Sequence, residues 1–251
     1  LGQKFQSGEL SRKDLFLTTK VAHPVAPPHV ALSDLGCLVW TDDASLEERV
    51  ATQIEVSLQE VGVGYFDLLL MHWPGDFASQ DEGANRRMRL RIWRVLERYY
   101  GVRKQARAIG VSNFTKKHLE QLIEDGCNVL PMVNQIEVHP YCNDKELIAF
   151  CQQKGVAITA YAPFASGAFD LLSDVVLTEI AARVQRSVGQ VILRWMAQRD
   201  IIVLPKSSSL KRMKENQSIG DFELSADDMT KIDGLSDPIR RSCPDPSSIP
   251  Q

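Results

Sequence analysis

Residues 66–74, Phe-Asp-Leu-Leu-Leu-Met-His-Trp-Pro, decide the reading of the fold. They form a short apolar run that ends in a histidine, a tryptophan and a proline. Five further runs of this kind follow or precede it: Leu15–Val21, Ala106–Val111, Met132–Glu137, Val156–Tyr161 and Ile201–Pro205. Longer amphipathic segments lie between them. Ser45–Val61 carries an N-cap serine, Glu47 and Glu48 in its first turn, and then Val50, Ile54, Val56 and Leu58, a helical spacing. Thr115–Asp125 begins on a threonine cap and ends near Gly126. Asn143–Lys154, Leu171–Arg186 and Gly189–Gln198 follow the same pattern.

Strands alternating with helices mean βαβ units and a parallel sheet. Six strands are legible, whereas a closed barrel of this type has eight. An open six-stranded version leaves two bare edges, which proteins avoid. The rival, an open doubly wound sheet, normally carries G-x-G-x-x-G after its first strand. No such run occurs in this sequence. The expectation is therefore a parallel (β/α)8 TIM barrel whose first two strands are absent from this chain, forming a single domain over residues 1–251.

The bulk numbers agree with one such domain. The chain has 251 residues, 44% hydrophobic and 24% charged, values ordinary for a globular protein. A net charge of −3 gives no reason to expect nucleic acid or an anionic membrane as partner, and no apolar run is long enough to span a bilayer. Cysteines at 37, 127, 142, 151 and 243 are odd in number and form no C-x-x-C pair. That usage reads as reduced thiols in the cytoplasm or an organelle stroma, and no metal site is expected. Two segments break the rhythm, His23–Asp43 and Gly75–Asn85. The second leads into Arg86–Arg98, an arginine-rich helix read as a solvated face.

In such barrels the site lies at the C-terminal ends of the strands. Read there, the six strands deliver Lys20; His72 and Trp73; Ser112, Asn113 and Phe114; Asn134, Gln135 and Glu137; Tyr161; and Lys206 with Ser207. One lysine or histidine at a strand end is unremarkable, but six polar or aromatic ends on one rim are hard to explain by packing.

These ends resemble the aldo-keto reductase family. The matching stretches are LFLTTK, DLLLMHWP, AIGVSNF, VNQIEVHPY, ITAYAPF and VLPKSSSLKRMKEN, in order and over essentially the whole chain. The resemblance implies NADPH-dependent reduction of aldehydes or ketones to alcohols, with a small-molecule carbonyl as substrate and NADP(H) as cofactor. It places the catalytic lysine at Lys20 and the catalytic histidine at His72, with Trp73 walling the substrate pocket. A nearby ammonium lowers a tyrosine pKa, and an imidazole can hydrogen-bond a developing oxyanion. It further implies that Ser112, Asn113 and Gln135 hold the nicotinamide carboxamide and that Tyr161 stacks on the ring. Ser166 belongs to the segment over the pyrophosphate. Lys206, Ser207 and Arg212 match the grip on the 2′-phosphate, with Glu215 and Asn216 at the adenine. Cys142 and His139 read as structural, and Arg240–Pro244 resembles the family's C-terminal tail.

The family's proton-donating tyrosine and its partner aspartate lie upstream of the lysine, in a D-T-A-x-x-Y-type run. Here no tyrosine precedes Tyr65. The expectation is a chain that lacks its first part. The alternative is a non-catalytic NADP(H)-binding subunit of a larger assembly. Whether the protein is a monomer or a subunit of a complex stays open.

Overall fold

The computed structural model describes residues 2–21, 44–77 and 79–250. The segment His23–Asp43, with Cys37 and Trp40, lies outside them. The chain divides into two compact units, residues 1–134 with 246–251, and residues 135–245.

The first unit opens with a short helix α1 (Gly2–Gln6) and then runs β1 (Thr18–Val21), α2 (Leu46–Val61), β2 (Phe66–Met71), α3 (Glu82–Gly101), β3 (Ala106–Ser112) and α4 (Lys116–Glu124). The strands are parallel. Lys20 is opposite Leu70, and Leu70 is opposite Gly110. All six residues of β2 are buried, as a parallel strand covered on both faces requires. Its one charged residue, Asp67, is tied to the Arg12 and Arg107 guanidinium groups at 2.7 and 3.0 Å and to the Leu17 amide at 2.8 Å. Burial pushes the Asp67 carboxyl upward, but these donors outweigh it and hold its pKa below the usual range. Gly110 is needed where β3 meets the start of β4 (Val133–Glu137): a Cβ there would lie 2.5 Å from the Val133 carbonyl oxygen and 2.8 Å from Leu70.

The helices form for the reasons their spacing implies. Leu46, Val50, Ile54 and Leu58 make the buried stripe of α2, and Gly62 ends it in the left-handed conformation, φ 71°. Ser45 stands at the N-cap position, but its hydroxyl accepts from Arg49 and caps no backbone amide. Thr115 does cap α4, accepting from the His118 amide, an interaction worth about 1 kcal/mol. α3 is longer than the arginine run, because Asp81 caps it from further back through the Ala84 amide at 2.9 Å.

In the second unit the end of β4 is followed by α5 (Lys145–Gln153), β5 (Ala157–Tyr161), α6 (Val175–Val184), α7 (Val188–Ala197), β6 (Ile201–Val203), α8 (Leu210–Gln217) and α9 (Ala226–Asp233). β5 and β6 are parallel, with Ile158 opposite Ile201. Two helix boundaries differ from the sequence reading. α5 starts on Asp144, whose carboxylate accepts from the Leu147 amide; Asn143 is buried and bonds Arg199 and Asp233 instead. The expected helix over 171–186 is divided into a 3-10 turn at Leu171–Ser173 and α6. Asp174 divides it by capping the Val176 and Leu177 amides while accepting from the Tyr141 hydroxyl at 2.7 Å. The short α8 and α9 add to the helices expected from periodicity. Within the units the paired strands β1–β2–β3 and β5–β6 are parallel and neighbours in chain order, the parallel α/β arrangement expected. Among the described residues no helix is long and apolar enough to cross a membrane.

Candidate active site

In the first unit the register assembles the polar strand ends. His72 lies two residues beyond Leu70, the partner of Lys20, and Ser112 lies two residues beyond Gly110, the partner of Leu70. Side chains alternate with period two along a strand, so Lys20, His72 and Ser112 occupy one face. The His72 amide donates to the Val21 carbonyl at 2.8 Å. Asn113 has φ 62°, and its side-chain amide donates to the His72 carbonyl at 2.9 Å and to Ser112 Oγ at 3.2 Å. The turn therefore fixes His72, Ser112 and Asn113 as one group. Trp73 is buried, packs edge-on against Phe77 at 4.8 Å between ring centres, and stacks beside His72.

The turn after β2 is anchored by a residue that no local sequence signal singles out. Arg89 belongs to the arginine run, yet it is buried, and its Nε donates to the Pro74 carbonyl at 2.7 Å while Nη1 donates to Gln121 Oε1 at 2.7 Å. Burial lowers its pKa to about 10. Beside it, burial and the Arg89 charge depress the pKa of His118 to about 3. Other arginines of the helix are engaged within the unit: Arg91 bidentately with Glu47, Arg86 with Asp125, and Arg94 with Glu97. The face is ion-paired rather than merely solvated.

In the second unit Gln135 is buried on β4 and Tyr161 ends β5. Burial, joined by the charges of Cys243 and Glu137, pushes the Tyr161 hydroxyl pKa far upward. After it the chain takes positive φ at Ala162, Ala165 and Ser166 (48°, 52° and 50°). Each costs a non-glycine residue about 1 kcal/mol, and strain of this kind clusters at functional loops. Ser166 is exposed at the turn's apex.

Five residues singled out after β6 and on α8 come together. Lys206, Ser207, Arg212, Glu215 and Asn216 line a cavity of about 330 Å³, closed on its apolar side by Phe164, Leu172, Val188 and Gly189. Ser207 Oγ accepts from the Ser209 amide at 3.1 Å, and Ser209 caps α8. Among the described residues neither Lys206 nor Arg212 has an acidic partner, in contrast to the paired arginines of α3. Two free cations, a hydroxyl and a helix N-terminus favour an anion. Glu215 and Asn216 add an acceptor and a donor beside apolar walls, a lining that suits a heteroaromatic base. Phe164 ends the matching stretch ITAYAPF, but Leu172, Val188 and Gly189 had no signal as lining residues, because only folding brings the 164–189 stretch against α8.

A sequence model of the Aldo/keto reductase family matches residues 1–237. The chain belongs to the aldo/keto reductase family. It is 41% identical to the uncharacterized oxidoreductase YtbE of Bacillus subtilis (strain 168), over 96% of this chain and 74% of that protein. It is 39% identical to the glyoxal reductase of the same organism, over 94% of this chain and 74% of the relative. Its fold matches that of the aldo-keto reductase AKR2E5 of the silkworm, Bombyx mori, crystallised with NADPH, at a TM-score of 0.78 and 28% identity, covering 99% of this chain and 73% of that one. The fold expected from the alternation of strands and helices, the parallel α/β barrel, is thus that of the family. The chain spans about three quarters of the length of these relatives.

Proposed function

We propose that this aldo/keto reductase binds NADP(H) and serves the reduction of an aldehyde or ketone to an alcohol. The observation that carries the reading is the cavity holding Lys206, Ser207, Arg212, Glu215 and Asn216 with both cations unpaired by acidic groups among the described residues. A 2′-phosphate supplies the charge that these cations lack. Lys206, Arg212 and Ser207 would hold that phosphate, with Arg212 able to bind it bidentately, while Glu215 and Asn216 take the adenine edge. Ser112, Asn113 and Gln135 hold the carboxamide, Tyr161 supports the ring, and Ser166 sits in the strained turn that covers the pyrophosphate. The relatives' names fit this reading: one is a glyoxal reductase, and a neighbouring structure holds NADPH.

NADPH supplies a hydride. The residues of this chain bind, orient and polarise. Lys20 places a positive charge on the face it shares with His72. His72, fixed by the Asn113 bond to its carbonyl, orients the substrate carbonyl and hydrogen-bonds its oxygen as charge grows there. Trp73 gives the substrate an apolar wall. No tyrosine stands among residues 1–64, so the proton donor is not assigned to a residue of this chain. Residues 1–251 are read as one reductase domain.

The test is fluorescence titration of the protein with NADPH and NADH, repeated for Arg212→Ala. The reading expects NADPH to bind at least about 10-fold more tightly than NADH and Arg212→Ala to remove most of that preference. Equal affinity for the two nucleotides in the unaltered protein overturns it.

A further inference from the structure

A buried carboxylate in the second unit has no part in the cofactor reading, yet several donors converge on it. Glu137, at the end of β4, accepts from the Ser242 amide at 2.7 Å and from the Ser242 hydroxyl through Oε1. The Cys243 amide approaches its Oε2 at 3.4 Å, and His139 Nε2 lies 3.1 Å from Oε1. Donation from Nε2 leaves the His139 Nδ1 bare, and that atom is buried with no hydrogen-bond partner. The next residues of the tail are fastened as well. The Arg240 amide donates to the Tyr141 carbonyl at 2.7 Å, and its guanidinium lies 3.5 Å from the Tyr141 ring centre. Arg241 Nη1 donates to Cys142 Sγ at 3.3 Å. Four consecutive tail residues thus hold to residues 137–142.

Glu137, His139 and Cys142 offer the donor types of a transition-metal site. The carboxylate, however, already takes its donors from the tail, and a guanidinium stands against the sulfur where a metal ion would have to sit. The cluster is a hydrogen-bonded clasp. Burial pushes the Glu137 carboxyl upward, but donors from His139 and Ser242 outweigh it and keep it ionised. The clasped segment holds Cys243 beside Tyr161, near enough for each to act on the other's ionisation.

We propose that Glu137 is a positioning residue: its carboxylate fastens residues 240–243 and so keeps Cys243 beside Tyr161, the ring that supports the nicotinamide. The effect on cofactor rests on the reading of Tyr161 given above; the clasp itself does not. Truncating the carboxylate strands two tail amides, and neutralising it to an amide turns one of its two acceptor oxygens into a donor facing the tail; either change loosens the segment that carries Cys243.

The experiment compares unaltered protein with Glu137→Gln and Ser242→Ala in two measurements. The first is the alkylation rate of Cys243, followed by peptide mapping together with tryptic cleavage after Arg240 and Arg241. The second is the dissociation constant for NADPH. Glu137→Gln is expected to raise both Cys243 labelling and tail cleavage by at least about 10-fold and to weaken NADPH several-fold. Ser242→Ala, which keeps the charge and the backbone bonds, is expected to raise labelling roughly two- to five-fold and gives an answer even where Glu137→Gln folds poorly. Unchanged labelling and cleavage in both variants overturn the clasp. Faster labelling with unchanged NADPH affinity overturns the positioning role. Failure of the unaltered protein to bind NADPH, with labelling responding as expected, overturns the cofactor reading and leaves the clasp standing.

Discussion

Arg89 and Glu137 solve one problem with opposite charges. Each is a buried ionised group that pins a segment bearing site residues. Arg89 holds the Pro74 carbonyl in the turn after His72 and Trp73, while Glu137 holds the tail that carries Cys243. Their surroundings differ. Arg89 brings more donors than it finds acceptors, and its Nη2 is buried without a partner. Glu137 has the reverse balance, with four donors aimed at two oxygens. The cation therefore sits in a site that disfavours its charge, and the anion in one that favours it. The first site is costly and rigid, and the second is stable and releasable by a single loss of charge.

The largest expected consequence is in acid. His118, next to Arg89, has a folded pKa near 3 against its ordinary 6.5. The unfolded chain binds a proton that the folded chain refuses. Stability from this group is therefore complete above pH 6.5 and is lost as pH falls from there toward 3, by up to about 5 kcal/mol. Glu137 also has a lowered pKa, so its contribution is complete above about 4.5, its ordinary value, and is lost as pH falls from there through the folded pKa. Urea unfolding from about pH 7 to 4 checks this: His118→Gln is expected to flatten the decline between roughly pH 6.5 and 4.5. A decline of the same steepness in that variant breaks the contrast between the two regions.

Next in size is Arg89 itself. Arg89→Ala removes two short hydrogen bonds and a fully buried side chain, and a loss of about 3 kcal/mol is expected in the same unfolding measurement. Arg89→Lys keeps the charge and is expected to lose about half as much, since an ammonium cannot reach the Pro74 carbonyl and Gln121 in the same fork geometry. Equal losses would mean that the fork geometry, not the charge, anchors the turn. The smallest effect is Ser242→Ala, about 1 kcal/mol, because the Ser242 and Cys243 amides stay on the carboxylate. A loss as large as that of Arg89→Ala would erase the distinction between a strained anchor and a satisfied one.

How much of this was legible varies by residue. The strand ends at Lys20, His72, Ser112 and Tyr161 could be read because apolar runs stop abruptly at polar residues. Lys206, Ser207, Arg212, Glu215 and Asn216 could be read because they lie close together in the chain. Arg89 could not be read, because in a run of arginines nothing local distinguishes the one that turns inward. Glu137 stood in a noted stretch, but its donors at Ser242 and Cys243 are 105 and 106 residues away.

The amino-acid sequence by itself determined the parallel α/β alternation, the family and the side chains gathered at the strand ends, because these follow from short-range periodicity and local spacing. Only the tertiary structure decided which charges are buried, which are paired and which are left for a ligand. That choice depends on contacts between segments far apart in the chain, and on the desolvation that burial imposes on whichever group ends up inside.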